Sequence, residues 1–176
     1  MRFANPQKNI EQFGLSFGMC VADFGAGPGH YSFLSAKAVG SEGKVFAIDI
    51  QPELLSTLKN QARKSFQGNI EVIHGDVSKN GGTKLSDQSV DVVIMSNVLF
   101  QIEDKEGMVR EAFRILKTKG RVIIIDWSES FKGLGPPESD VVPYMSAREL
   151  LEKAQFVYNN SIDPGAHHYG AIFRKP

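Results

Sequence analysis

Residues 19–49 read MCVADFGAGPGHYSFLSAKAVGSEGKVFAID, and the fold follows from this stretch. It opens with an apolar run at 19–24 and passes through the glycine-rich segment DFGAGPG at 23–29. Helical spacing follows over 31–39, and a second apolar run occupies 45–50. Runs this continuous in Val, Ile, Phe and Met are the pattern of strands buried on both faces, hence of a parallel sheet covered by helices. Strand, loop, helix and strand make one right-handed crossover unit.

The pattern repeats outward. Further apolar runs lie at 70–75, 90–96 and 122–127, and helical spacing recurs at 52–65, 105–116 and 147–153. Pro52 suits a first helical turn. Gly120, after Lys117 and Lys119, reads as the stop of a helix with a basic last turn. Ser146 with Glu149 resembles a capping box, and Asn5-Pro6 opens a short helix reaching about Phe13. Near the end, 156–162 and 169–174 are strand-like and joined by turn-rich residues, so a hairpin closes the sheet. The chain is expected to be one domain over 1–176, with 1–18 as an N-terminal helix or lid segment. Loop 131–143 carries Gly133, Gly135, Pro136, Pro137 and Pro143 and follows the fifth strand. Loops there sit at the ligand-binding end of such sheets, so this one and Tyr144 are expected to close over a pocket.

Composition narrows the function. The 176 residues are 41% hydrophobic and 23% charged with a formal net charge of zero, so nothing demands a nucleic-acid partner. The single cysteine, Cys20, excludes an intramolecular disulfide and a cysteine metal cluster, and it reads as a packed core thiol. No stretch is apolar for long enough to span a bilayer, and MRFANPQKNIEQF lacks the apolar centre of a signal peptide. A cytoplasmic location is the expectation.

The glycine loop leads into a helix whose first amides are free, a place for a carboxylate or phosphate. A dinucleotide fingerprint is G-x-G-x-x-G. Here Gly25 and Gly27 match, but Gly29 comes one residue early and His30 holds the third position. Asp23 would repel a pyrophosphate and suits a ligand with an ammonium group, such as the methionine part of S-adenosylmethionine. Asp49, ending the second strand, is placed to accept from ribose hydroxyls or to cap the next helix. Asp76, in HGD at 74–76, is placed to accept from an adenine amino group or to form a turn. The Val77 amide is beside it for a ring nitrogen, and Ile50 is placed to pack on an adenine face.

In the order DFGAGPG, VFAID, HGD, VDVVIMSN and LKTKGRVIIIDW, these segments resemble class I S-adenosylmethionine-dependent methyltransferases over nearly the whole chain. The subgroup most similar acts on small molecules in ubiquinone and menaquinone biosynthesis, and HYGAIFRKP at 168–176 is similar to its closing strand. The resemblance implies an α/β, Rossmann-like, doubly wound three-layer sandwich with a seven-stranded sheet of order 3-2-1-4-5-7-6, strand 7 antiparallel. It assigns Asp23, Gly25, Ala26, Gly27 and Gly29 to the methionine part. Asp49 and Ile50 go to the ribose and adenine, Asp76 and Val77 to the adenine, and Ser96 with Asn97 to the methyl group. The role of His30, where many members carry an aromatic or small residue, stays open. The large substrate lid that many relatives insert after strand five is missing.

A sulfonium already activates its methyl group, so the protein mainly supplies in-line approach and a dry site. His168 and Tyr169, after His167 in the closing turn, are the candidates for orienting an acceptor or taking a proton. Their alternative is a polar turn and a packed strand tyrosine. A metal site at the paired histidines is disfavoured, because consecutive strand residues face opposite ways, and no metal is expected. Asp126-Trp127 either faces the substrate or covers the core. SNVLF at 96–100 is not the N-P-P-Y type of enzymes that methylate base amines, and one thiol is too few for arsenite chemistry as related enzymes perform it. A small, quinone-like or otherwise apolar acceptor fits best. The rivals are a nicotinamide-dependent oxidoreductase, a non-catalytic adenosyl-binding regulatory module and a protein methyltransferase. A homo-oligomer is compatible with so short a chain.

Overall fold

The structure is a computed structural model and describes residues 4–131 and 133–176. Seven strands form a single sheet of order β3-β2-β1-β4-β5-β7-β6. In chain order these are β1 (Cys20–Phe24), β2 (Lys44–Asp49), β3 (Ile70–His74), β4 (Val90–Ser96), β5 (Leu116–Trp127), β6 (Val157–Ile162) and β7 (His168–Arg174). Neighbours among β1 to β5 run parallel, and β7 is antiparallel to both β5 and β6. This is the sheet implied by the resemblance, a Rossmann-like methyltransferase fold.

Each strand places alternate residues on opposite faces. Val21, Val45, Val92, Ile94, Ile123 and Ile125 face one layer, and Ala22, Phe24, Val93, Met95, Val122 and Ile124 the other. The first layer holds α1 (Pro6–Gln12), α2 (His30–Val39) and α3 (Pro52–Lys64), and the second α4 (Lys105–Ile115) and α5 (Tyr144–Lys153). Leu55, Leu58 and Ala62 make the buried stripe of α3. The Asn5 side chain caps α1 through the amides of Gln7 and Lys8, ahead of Pro6. Asp104 caps α4 through the Gly107 amide at 2.7 Å. No helix among the described residues is long and apolar enough to cross a membrane.

Two local expectations are corrected. Ser146 is not an N-cap: α5 begins at Tyr144 after Pro143, whose ring presets a first-turn entry, and Tyr144 packs its ring 5.5 Å from that of Tyr169. Lys117 to Gly120 do not end a helix. They bulge out of β5 between the pairs Val90–Leu116 and Val92–Arg121. Their backbone is satisfied by Lys175, which accepts from the Lys119 amide and donates to the Gly120 carbonyl. The β3–β4 crossover is a helix-free connection over residues 75–89, where the sequence shows no helical spacing either.

A buried carboxylate holds that connection. Glu111 of α4 accepts from the Gly81 and Thr83 amides and the Thr83 hydroxyl, and it pairs with Arg114 at 2.8 Å. Burial pushes its carboxyl up, but Arg114, Thr83 and the amides outweigh this and hold it at about 2. Glu111→Ala strands this set of donors and is expected to lower stability by about 3 kcal/mol, read as a reduced urea midpoint. Because the folded-state value lies below the ordinary 4.5, the wild-type contribution is complete above that pH and fades as pH falls toward 2.

Candidate cofactor site

The parallel strands bring their C-terminal ends to one edge, where the loops after β1, β2, β3 and β4 enclose a cavity of about 660 Å³. That volume lies within the range of small-molecule and cofactor sites. Asp23, Gly25, Ala26 and Gly27 line it from the first loop, Asp49 and Ile50 from the second, Asp76 and Val77 from the third, and Ser96 and Asn97 from the fourth.

Asp23 is the penultimate residue of β1, on the α2 face, and is 3% exposed. The Ser32 hydroxyl donates to its Oδ2 at 2.6 Å, and the Ser32 amide also donates to it. No lysine, arginine or histidine pairs with it among the described residues. Burial therefore dominates: it pushes the carboxyl up to about 7, against the Ser32 hydrogen bonds, and the Asp49 charge adds to the rise.

Gly25 sits at φ +67°, and a Cβ there would lie 2.8 Å from Val98, so the loop can pass the fourth strand's turn only without a side chain. Gly29 is placed differently from the other loop residues. It does not line the cavity. Its φ is +87°, and a Cβ would meet Leu58 and Phe33 at 2.9 Å, so its bareness serves the packing of α2 on α3.

Asp49 spends both oxygens on backbone: Oδ2 accepts from the Gly27 amide and Oδ1 from the Gln51 amide, each at 2.9 Å. It joins the glycine loop to the start of α3 and keeps lone pairs for further donors. Asp76 takes the amide and hydroxyl of Ser78 on Oδ1, at 2.9 and 2.7 Å, in an Asx turn. The Ser78 hydroxyl, with its amide, holds the Asp76 carboxyl below the usual range. Asp76 thus performs the turn role that the sequence offered as its alternative, whereas Asp49 does not cap α3, whose N-cap is Gln51; both line the cavity. Ile50 is 58% exposed and lines the same cavity.

On the far wall, Asn97 lies at φ +54°, a backbone region that Asn tolerates better than most residues. Its Oδ1 is buried without a partner among the described residues. Asp126, 1% exposed, shapes this wall from behind. Its Oδ2 accepts from the Leu99 amide at 2.9 Å, and the Val98 and Phe100 amides point at the same carboxylate. It thereby fixes the 3₁₀ turn Leu99–Gln101; Gln101 of the turn and its flanking residues Val98 and Ile102 face the cavity. Burial pushes its carboxyl up to about 6 against those amides.

The sequence reading missed Tyr31, Val98, Gln101 and Ile102. Tyr31 carries a hidden polar role inside an apolar helix pattern: its hydroxyl accepts from Asn9 Nδ2 at 2.9 Å and hydrogen-bonds Ser96. His30, left open by the sequence, is exposed at the first position of α2 and lines the cavity. Of the 1–18 segment, Ala4 and Pro6 contribute to the wall, and 1–3 lie outside the described residues.

The structure does not bring His168 and Tyr169 to the cavity wall. They pair with Trp127 and Asp126 of β5, two strands beyond β1. His168 lies against Trp127 with ring centroids 4.2 Å apart, and its Nδ1 meets the Ala166 carbonyl at 3.0 Å. Burial pushes the His168 imidazole down and the Tyr169 phenol well above its ordinary value. Loop 131–143 also fails to reach the cavity among its described residues. It folds back on Trp127, against which Gly135 fits so closely that a Cβ would lie 2.7 Å from the indole. Trp127 is therefore a platform for loop and turn.

The comparisons agree with this geometry. Residues 15–164 match the methyltransferase domain family, and the chain belongs to that family. A methyltransferase from Aquifex aeolicus described as dependent on S-adenosylmethionine superposes with a TM-score of 0.89 at 29% identity, covering 99% of this chain and 91% of that one. A ubiquinone/menaquinone biosynthesis C-methyltransferase of Idiomarina loihiensis is 28% identical over 86% of this chain and 59% of its own length. An arsenite methyltransferase of Halobacterium salinarum is 34% identical over 62% of this chain and 27% of its own length. The chain thus spans about a quarter to three-fifths of these two curated relatives.

Asp23→Asn keeps an acceptor for Ser32 and removes the buried charge. Because the folded-state carboxyl lies near 7, above its ordinary 3.8, the native state holds the extra proton between those values and loses stability as pH rises through that window. The variant is expected to melt at or above the wild-type temperature at pH 8 and to flatten this pH dependence. A variant that melts well below wild type at pH 8 contradicts the burial argument. Asn97→Gly relieves the left-handed backbone while deleting the amide, so unchanged folding with weakened ligand binding is expected, measured by calorimetry.

Proposed function

We propose that this chain binds S-adenosylmethionine and transfers its methyl group to a small-molecule acceptor. The observation that carries the reading is the buried Asp23 beside the glycine loop, unpaired with any cation among the described residues, in one cavity with Asp49, Asp76 and Asn97. An ammonium group placed there restores the Asp23 charge, and a dinucleotide offers none. Asp23 and the amides of the glycine loop would hold the amino acid part, Asp49 the ribose, and Asp76, Val77 and Ile50 the adenine. When bound, the sulfonium supplies an already activated methyl group.

The chain's own residues then position and exclude water. Asp126 holds the turn that presents Val98 and Ile102 to the cavity beside Ser96 and Asn97, an apolar wall with one orphan amide oxygen. Such a wall suits a small, largely apolar acceptor with a polar handle better than a protein side chain, which needs a groove. His168 and Tyr169, which pair with Trp127 and Asp126 of β5 and do not line the cavity, are given no part in holding the acceptor.

Calorimetry with S-adenosylhomocysteine and NADH, followed by labelled methyl transfer to a panel of quinols, phenols, amines and thiols, tests the proposal. S-adenosylhomocysteine is expected to bind, and its affinity to rise with pH through about 7 as Asp23 ionises, then level off. Binding of NADH alone would falsify the reading. Tight S-adenosylhomocysteine binding with no turnover across the panel supports a non-catalytic adenosyl-binding module instead.

A further inference from the structure

A second concave site lies away from the cofactor cavity, where β5 begins its paired stretch and β7 ends. Arg121 and Arg174 stand directly opposite each other across the antiparallel β5–β7 ladder. Like charges in that position repel, and neither guanidinium pairs with a carboxylate among the described residues. Both line a pocket of about 180 Å³, whose rim is completed by the amide side chains of Gln12, Asn159 and Asn160 and which contains no acid.

Three features mark it as more than a chance meeting of surface arginines. Arg121 is half-buried, its Nε is sealed from water without an acceptor, and its Nη2 is anchored on the Gly14 carbonyl, so the group is held in place. Burial and then the Arg174 charge both work against the Arg121 charge. Asp91, the acid whose field reaches Arg121, has its oxygens engaged by Lys117 Nζ and the Cys20 amide, each at 2.8 Å. Finally, β6 carries a bulge here. Tyr158 pairs with Phe173 and Asn160 with Ile172, so Asn159 is an extra residue and two consecutive asparagines come to one rim. Bulges re-aim side chains in this way.

We propose that this pocket binds a small oxyanion of the phosphate or sulfate class, with Arg121 and Arg174 as its cationic ligands and the Gln12, Asn159 and Asn160 amides at its rim. An anion with several oxygens suits the planar guanidinium fork and offsets the repulsion between the two strands. The site is independent of the cofactor reading.

Calorimetric titration of the full chain with sodium phosphate, at constant ionic strength set by chloride, is expected to give one saturable site. Arg174→Ala, at an exposed strand end, is expected to weaken it about tenfold or more, and Arg121→Lys, which keeps the charge but loses the fork, to weaken it less. In amide-resolved NMR spectra the side-chain signals of Gln12, Asn159 and Asn160 are expected to shift with the same saturation curve. Sulfate and glucose 6-phosphate arms identify the source: equal affinity indicates a free inorganic anion, and tighter binding of the sugar phosphate indicates a phosphate monoester. The proposal is overturned if no saturable binding appears. It is equally overturned if Arg174→Ala binds phosphate as wild type does while the shifts fall on the glycine loop 25–29.

Discussion

A carboxylate sealed inside the sheet, with no cation paired to it among the described residues, is the constraint around which this molecule is arranged. Asp23 stands on β1, an interior strand of the sheet, facing the first turn of α2. The fold offers it a serine hydroxyl, an amide and the positive end of a helix. These keep the acid tolerable without making it comfortable. The remaining cost of burial is what a positively charged ligand relieves, so a weakness of the ligand-free fold and the chemistry proposed for the site have one origin. Selection for stability alone would favour a neutral residue there.

The other acids at the strand ends follow a related logic with a different outcome. Asp49, Asp76 and Asp126 each accept from the amides of loops, and between them they hold all four segments that wall the cavity. Loop amides have no ladder to join once a strand ends, and a short acidic side chain at that point satisfies them. The cavity is therefore walled by backbone held in register by carboxylates, which gives rigid edges without a large buried apolar core at the mouth. Glu111 does the same service for the β3–β4 connection from the opposite layer.

Much of this was legible in the residues. The run 90–96 is β4 without adjustment, and the segment 23–29 leads from β1 into α2, with Asp23, Gly25, Ala26 and Gly27 lining the cavity. What failed did so for tertiary reasons. Gly29 looks like its neighbours in sequence, yet its missing side chain serves Leu58 and Phe33, which arrive from α3 and from within α2. Ser146 has the letters of a cap, but Pro143 and the Tyr144–Tyr169 contact start the helix earlier. The 131–143 loop looked free to cover the cavity because nothing in it announces that Gly135 rests on Trp127. His168 and Tyr169 lie at the correct end of the sheet but too far along it, a distance set by the insertion of β7 between β5 and β6.

The irregularity in β6 has a bearing on how the molecule lives among copies of itself. This strand and β3 are the two open margins of the sheet. An unpaired margin is a template onto which a foreign strand can zip. At β6 the extra residue between Tyr158 and Asn160 throws donors and acceptors out of step, and a row of short amides replaces the alternating apolar teeth that would invite a neighbour. The kink that shapes a pocket on one side thus also makes the outer margin a poor seed for fibre growth.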